Sequence, residues 1–278
     1  MTSHSIGARF HRGSALVGLG LLIALAILSL QGSPLGPSPA QAATIVVDTG
    51  ADTDAADGDC SLREAILNAE ADAGVSFDCE NGTGEDTIVF DDAVTYIILT
   101  DSLPSIQEAD GLTIDGGGRV TIDGVDSHQV FEVDPSGVLT VLDLTVTAGG
   151  SNTRGPAANN EGWMLLDGVT ITNTFAADDG PVFNAETGTL IIENSTLTLN
   201  EAGSDGGAIF NEAGYVEVTN SSITWNHAGS NGGGIATVSS NDPGTLLITA
   251  STIENNTANS GGGGISNRGS YAESLSRA

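Results

Sequence analysis

A repeat of about 26 residues runs through the second half of the chain and limits what it can fold into. With a glycine at the head of each unit, the units begin at Gly137, Gly162, Gly188, Gly214 and Gly244. Two residues after the head stand Leu139, Met164, Leu190, Val216 and Leu246; four after it stand Val141, Leu166, Ile192, Val218 and Ile248. Val146, Ile171, Leu197, Ile223 and Ile253 follow at nine, and glycine recurs at eighteen as Gly155, Gly180, Gly206, Gly232 and Gly262. Ala158, Phe183, Ile209, Ile235 and Ile265 fall at twenty-one. A fixed period of this size means a solenoid, in which each turn buries its apolar row on the next.

Period alone leaves leucine-rich repeats open, so residue chemistry decides. In Gly188–Ala213, Leu190 and Ile192 alternate with polar neighbours, Leu197 and Leu199 do the same, and Ile209 follows a Gly-Gly turn. Three short segments of period two, separated by Asn, Ser, Asp and Gly, predict strands and turns. The return segment is glycine and small polar residues, which are poor helix formers. The expectation is an all-β parallel solenoid, a β-helix with three strands per coil. Asn200, Asn226 and Asn256 share one column and are expected to form an asparagine ladder at a coil corner. Ser195, Ser221 and Ser251 form another column, and Thr172, Thr198 and Thr224 a third, at turn and outward-strand positions. The glycine column calls for positive φ or close backbone approach. Gly111–Asp115, with Val120 and Ile122, reads as an earlier coil whose register is slipped by about one residue.

The first 42 residues have a different character. Arg9 and Arg12 precede an apolar stretch, Ala15 to Leu30, then three prolines and the small-x-small site Ala40-Gln41-Ala42. This reads as a secretory signal peptide cleaved after Ala42. An uncleaved membrane anchor is the alternative, but the stretch is short of the ~20 residues a spanning helix needs. Once processed, the chain is not expected to span a membrane.

Beyond Ala42 there is no lysine, and five arginines face all 36 carboxylates. Such a surface repels nucleic acid and anionic membranes and attracts cations. Calcium is the cofactor this composition raises. The closest approach to a GGxGxD calcium nonapeptide is Gly261–Ser266, which has serine in place of the aspartate, so no cofactor or metal ligand is assigned. Cys60 and Cys79 are the only cysteines. In an oxidising compartment they are expected to form a disulfide. Metal binding is the alternative, but the spacing fits no zinc pattern and no histidine lies nearby.

Thr44–Asp48 reads as a short strand. The segment Cys60 to Glu70 then carries a capping box, Ser61 with Glu64, and apolar residues Leu62, Ala65, Ile66 and Ala69 at helical spacing. A short capping helix over the open end of the first coil is expected. The string Cys60 to Ile66, CSLREAI, resembles the signature of CSLREA-motif exported bacterial proteins. Asp86–Phe90, Leu103–Ile106 and Leu112–Gly116 continue that resemblance, which covers about residues 44–118. The coils are similar to polymorphic outer-membrane-protein repeats, at Gly206–Ile209, Gly232–Ile235 and Gly263–Ile265. The resemblance implies a right-handed parallel β-helix, exported and often surface-displayed, with no established catalytic activity. The expected organisation is residues 1–42 signal peptide, 43–110 N-terminal cap, 111–269 coils and 270–278 an unstructured tail. Ending so soon after Gly262, the chain reads as a truncated product or fragment of a longer anchored protein.

Parallel β-helices include polysaccharide lyases and hydrolases of the pectin lyase-like fold, so catalysis is the competing reading. Glycoside hydrolysis needs two carboxylates roughly 5–9.5 Å apart. Asp178 with Asp179 is the best candidate, with Asp143 and Asp167 as a second pair. No Gly-His-Gly or Arg-Ile-Lys string accompanies them, and Arg154 and His227 read as solvated turn residues. No catalytic residue is assigned. The expectation is a non-catalytic secreted or cell-surface β-helix protein serving adhesion or an extracellular scaffold. Its partner is an unidentified surface or extracellular ligand, carbohydrate being one class this reading admits. A polysaccharide-active enzyme is the alternative.

Overall fold

The computed structural model describes residues 42–72, 74–75, 78–151, 154–238 and 244–268. They belong to the second of the two units into which the chain divides, Ala40–Ala278. The expected signal segment up to residue 41 and the expected tail lie outside the described residues. Among the described residues no helix is long and apolar enough to cross a membrane.

The unit is a right-handed parallel β-solenoid of about seven turns. Every strand pair is parallel, and the strands stack into three sheets. In a typical coil a first strand (Thr189–Glu193) is followed by a second (Thr196–Thr198), a two-residue third (Glu201–Ala202) and a fourth (Ile209–Glu212). That is four segments rather than the three expected. The first two share one sheet, because Leu112–Asp123 and Val138–Thr147 each run through both positions.

Alternation places Leu190, Ile192, Leu197 and Ile209 inside, all fully buried, directly over their partners in the next coil, Val216, Val218, Ile223 and Ile235. Each such burial removes apolar surface worth about 1.5–3 kcal/mol from water. In the last described coil Leu246, Ile248 and Ile253 are only partly buried. Stacking continues back to Thr44–Val47, which pairs with Asp86–Phe90, which in turn pairs with Leu112–Asp123. The solenoid sheet thus begins at Thr44–Val47, within residues 43–110. Register around Gly116–Gly118 shifts, which accommodates the slip seen in the sequence.

Two expectations are corrected. Leu199 does not alternate inward with Leu197; it has φ +59° and is 56% exposed, because the strand ends at Thr198. Phe183 does not occupy the inward column at twenty-one. Val182 does, paired with Ala158 and Ile209, because that coil is one residue shorter through its turn. Phe183 instead faces outward, stacks on Phe210 with ring centroids 5.6 Å apart, and lies under the Arg154 guanidinium at 4.5 Å. The glycine column at eighteen has positive φ throughout, from +36° to +71°. A Cβ at Gly206, Gly232 or Gly262 would also strike the carbonyl of Ile209, Ile235 or Ile265.

The helix Leu62–Glu70 lies against Thr44–Val47 and Asp86–Phe90. Its capping box is complete: the Glu64 backbone N–H donates to Ser61 Oγ, and the Ser61 N–H donates to the Glu64 carboxylate at 3.0 Å. A disulfide joins Cys60 to Cys79, with Cα atoms 4.9 Å apart, and closes the stretch of chain that contains the helix. The chain-entropy model gives this cross-link about 3 kcal/mol. Scanning calorimetry with and without reductant should show a lowered first transition in the reduced protein, reproduced by a Cys60→Ser/Cys79→Ser variant.

Candidate functional site

The outward face of the second-strand series carries a regular hydroxyl array. Thr145 and Thr147, Thr170 and Thr172, Thr196 and Thr198, and Ser222 and Thr224 stack rung upon rung in register. Parallel strand geometry spaces the rungs ~4.8 Å apart and the two hydroxyl columns ~6.6 Å apart. Thr121 and Thr252 extend one column, while Asp123 and Glu254 close the other. All eight central side chains are partly exposed. Thr224 donates to Thr198 at 3.3 Å. The other hydroxyls of these four rungs have no partner among the described residues. In a chain with 36 carboxylates, the centre of this face has none. Leu199 and Trp225 rim it from the same left-handed corner position, φ +59° and +60°, with Trp225 61% exposed.

Beside this face the expected asparagine column forms a buried ladder. Asn200 Nδ2 donates to Asn226 Oδ1 at 3.1 Å, and Asn226 Nδ2 to Asn256 Oδ1 at 2.9 Å. Each Oδ1 also accepts the backbone N–H of the coil before it, starting with Thr174. The serine column works likewise, with Ser195, Ser221 and Ser251 hydroxyls accepting from Val169, Ser195 and Ser221 N–H groups. A second ladder, Asn160 to Asn184 to Asn211, lies inside the fourth-strand series and was not anticipated. Its spacings of 24 and 27 residues depart from the head-glycine count, so the column is out of line in the sequence. The Asn200–Asn226–Asn256 ladder and the serine column satisfy buried backbone groups beside the hydroxyl face, whereas the second ladder, in another sheet, leaves Asn160 Oδ1 without a partner among the described residues.

Of the carboxylates considered for catalysis, Asp143 and Asp167 lie in neighbouring coils, where Leu142 pairs with Asp167. Asp143, at φ +47°, lies at the corner between the first and second strand positions, and Asp167 ends a first strand. Asp178 and Asp179 stand in the turn between Phe175–Ala176 and Val182–Asn184. Asp179 stacks instead over Asp205 of the next coil, whose N–H donates to it at 3.1 Å. Burial, with the Asp205 charge beside it, pushes the Asp179 carboxyl above its ordinary range. Asp205 is occupied by Asn231 at 2.8 Å and by Arg268. Arg154 pairs with Glu212 at 3.1 Å, and His227 Nδ1 lies 3.0 Å from Thr257 Oγ1. Asp179 and Asp205 thus bond within the stacked turns, whereas Glu212, His227 and Arg268 lie in strands. Ala42, the expected cleavage position, is exposed just before the first strand.

A pocket of about 500 Å³ at the helical end gathers carboxylates the sequence reading did not connect. Leu67, Glu70, Asp72, Pro104, Ser105, Gln107, Glu108, Ala109 and Asp110 line it. One carboxylate oxygen from each of Asp72, Asp86 and Glu108 lies within 4.8 Å of the others. Burial, then the charges of Asp86, Asp72, Glu70 and Asp110, push the Glu108 carboxyl up to about 8. Burial likewise raises Glu70.

The fold and its columns define a parallel β-helix repeat protein. Residues 250–268 match the Chlamydia polymorphic membrane protein repeat model, and this stretch falls on the last described coil, including Asn256 and the Gly262 turn. No curated protein and no solved structure matches the chain.

Proposed function

We propose that the processed chain works outside the cell, secreted or displayed at the surface, as a non-catalytic β-helix adhesin or scaffold. Its ligand in this reading is a neutral carbohydrate polymer, held on the hydroxyl face. The observation that carries the reading is the uncharged array of four Thr/Ser rungs on a strongly acidic molecule. An acidic surface resists anionic partners, whereas a neutral lattice of donors and acceptors suits a hydroxyl-rich one. Trp225, at the rim, offers an aromatic surface for the apolar side of a sugar ring. The repeat match at residues 250–268 and the CSLREA resemblance of the N-terminal segment support the exported, surface-associated setting. The engagement of Asp179 and Asp205 by turn backbone, Asn231 and Arg268 supports a non-catalytic role.

The test is retention of the purified protein on insoluble cellulose, chitin and cell-envelope polysaccharide. Binding should fall by at least about tenfold in a Thr172→Glu/Thr198→Glu variant, a loss equivalent to ~1.4 kcal/mol. Absence of retention on every matrix would remove the carbohydrate reading. Release of soluble sugars, abolished by Asp179→Ala, would replace it with an enzymatic one.

A further inference from the structure

The acidic pocket at the helical end is independent of the hydroxyl face. We propose that Asp72, Asp86 and Glu108 bind one calcium ion, which fastens the helical segment to the first two coils. The three ligands come from separate pieces of chain. Asp72 follows the helix, Asp86 opens the strand Asp86–Phe90, and Glu108 precedes the strand Leu112–Asp123.

Two of the ligands are held in place by the backbone. The Gly84 N–H donates to Asp72 at 2.7 Å, and Thr83 and Ala43 N–H groups donate to Asp86, which is 1% exposed. Asp86 Oδ1 accepts from both Ala43 and Thr83, but Oδ2 accepts only from Thr83 at 2.9 Å and, like the Asp72 oxygens, keeps a lone pair for a cation.

The independent sign of a missing ligand is Glu108. Both of its carboxylate oxygens are sealed from solvent without a hydrogen-bond partner, as is Oε1 of Glu70 at the same pocket. A buried, unpaired carboxylate is strongly disfavoured unless a charge or donor meets it. None of the lining residues is basic. A proton on Glu108 would occupy one of its oxygens and leave the other unpartnered. A divalent cation reaches several oxygens together. The donors are all hard oxygens, with no sulfur or imidazole, which fits calcium and gives no advantage to zinc or copper. Affinity near the 10⁻⁴–10⁻³ M range of extracellular calcium modules is expected (about 10⁻³ M or tighter).

The test uses the purified protein from Ala43 onward, stripped with EDTA and titrated with CaCl₂ at about 0.15 M KCl to screen diffuse surface charge. Calorimetric titration should show a saturable site. Thermal melts should rise by roughly 5 °C at saturating CaCl₂. Glu108→Gln should fold without calcium and lose the response, with calcium binding at least about tenfold weaker. Asp72→Asn, which keeps the acceptor for Gly84, should lose it too, and provides the test if the Glu108 variant does not fold. Asp167→Asn, on a distant coil, should retain it. The proposal is overturned if wild type binds no calcium, if both pocket variants respond as wild type does, or if MgCl₂ at equal concentration gives the same shift.

Discussion

Replacing Asp52 with alanine is expected to destabilise the N-terminal end by about 3 kcal/mol at neutral pH, because it breaks a buried, multiply bonded ion pair. Asp52 is 6% exposed and accepts from Arg63 Nε at 2.9 Å and Nη2 at 2.8 Å. It also accepts from the Thr100 backbone N–H at 2.7 Å and the Thr100 hydroxyl at 3.1 Å. Arg63, on the helix, further donates to the carbonyls of Asp101 and Ser102. Arg63 thus ties the helix to Asp101 and Ser102, up to 39 residues away in sequence, while the Asp52 carboxylate holds Arg63 and Thr100 together. Burial alone would raise the Asp52 pKa. The bonds from Arg63 and Thr100 outweigh it and hold the carboxyl below its ordinary value of 3.8. The ionised form is therefore the one the fold favours. Its contribution is complete above that ordinary value and is lost as pH falls through the lowered one. Urea unfolding of wild type and Asp52→Ala should show the full difference at pH 7 and a difference that shrinks as the pH is taken progressively below the ordinary value of 3.8. An equal difference throughout would mean that Asp52 acts through packing and not charge.

Asn226→Ala should have an effect of similar size, about 3 kcal/mol, but in the coils. Asn226 is 1% exposed. Its Nδ2 donates to the Leu197 carbonyl at 3.0 Å and to Asn256, and its Oδ1 accepts both the backbone and the amide of Asn200. Alanine leaves these groups buried and unpaired, each costing about 1–3 kcal/mol before relaxation. Asn256, only partly buried in the last described coil, should cost less when replaced, about 1 kcal/mol. Because a solenoid couples mainly to its neighbours, hydrogen exchange in Asn226→Ala should accelerate at the Asn200 and Asn226 amides and stay unchanged near Ile114. Uniform acceleration along the unit would show that the coils unfold as one block.

Both predictions bear on how much of the molecule could be read in advance. The Asn200–Asn226–Asn256 ladder was visible because its members keep step with the head glycines. The Asn160–Asn184–Asn211 ladder contains the same chemistry, but turns of different length put its members out of step by one residue. The same shift placed Phe183 where Val182 belongs. Turn length is set by local loop geometry, which carries little energetic penalty and leaves no apolar signature. Inward-facing strand residues are held by burial, so their pattern survives in the sequence.

The hydroxyl face and the acidic pocket divide along the same line. Thr172, Thr198 and Thr224 form a column in the sequence, and their outward direction follows from strand alternation. That Leu199 and Trp225 lie at the rim does not follow, because it depends on left-handed corners at both residues. The pocket is further from view. Glu70, Asp72, Asp86 and Glu108 span nearly 40 residues with no recurring interval, and the bond from the Gln107 N–H to Glu70 closes a separation of 37 residues.

By itself, then, the sequence determined a parallel β-helix with a helix at its front and a cysteine pair beside it. Period, alternation and capping are short-range patterns, written wherever burial and backbone hydrogen bonding demand the same residue type in every coil. Only the tertiary structure decided where Asp52 meets Arg63 and how the corners expose Trp225. It alone brought three carboxylates from separate segments to one pocket. Those contacts depend on how distant segments pack, and no local residue preference encodes that packing.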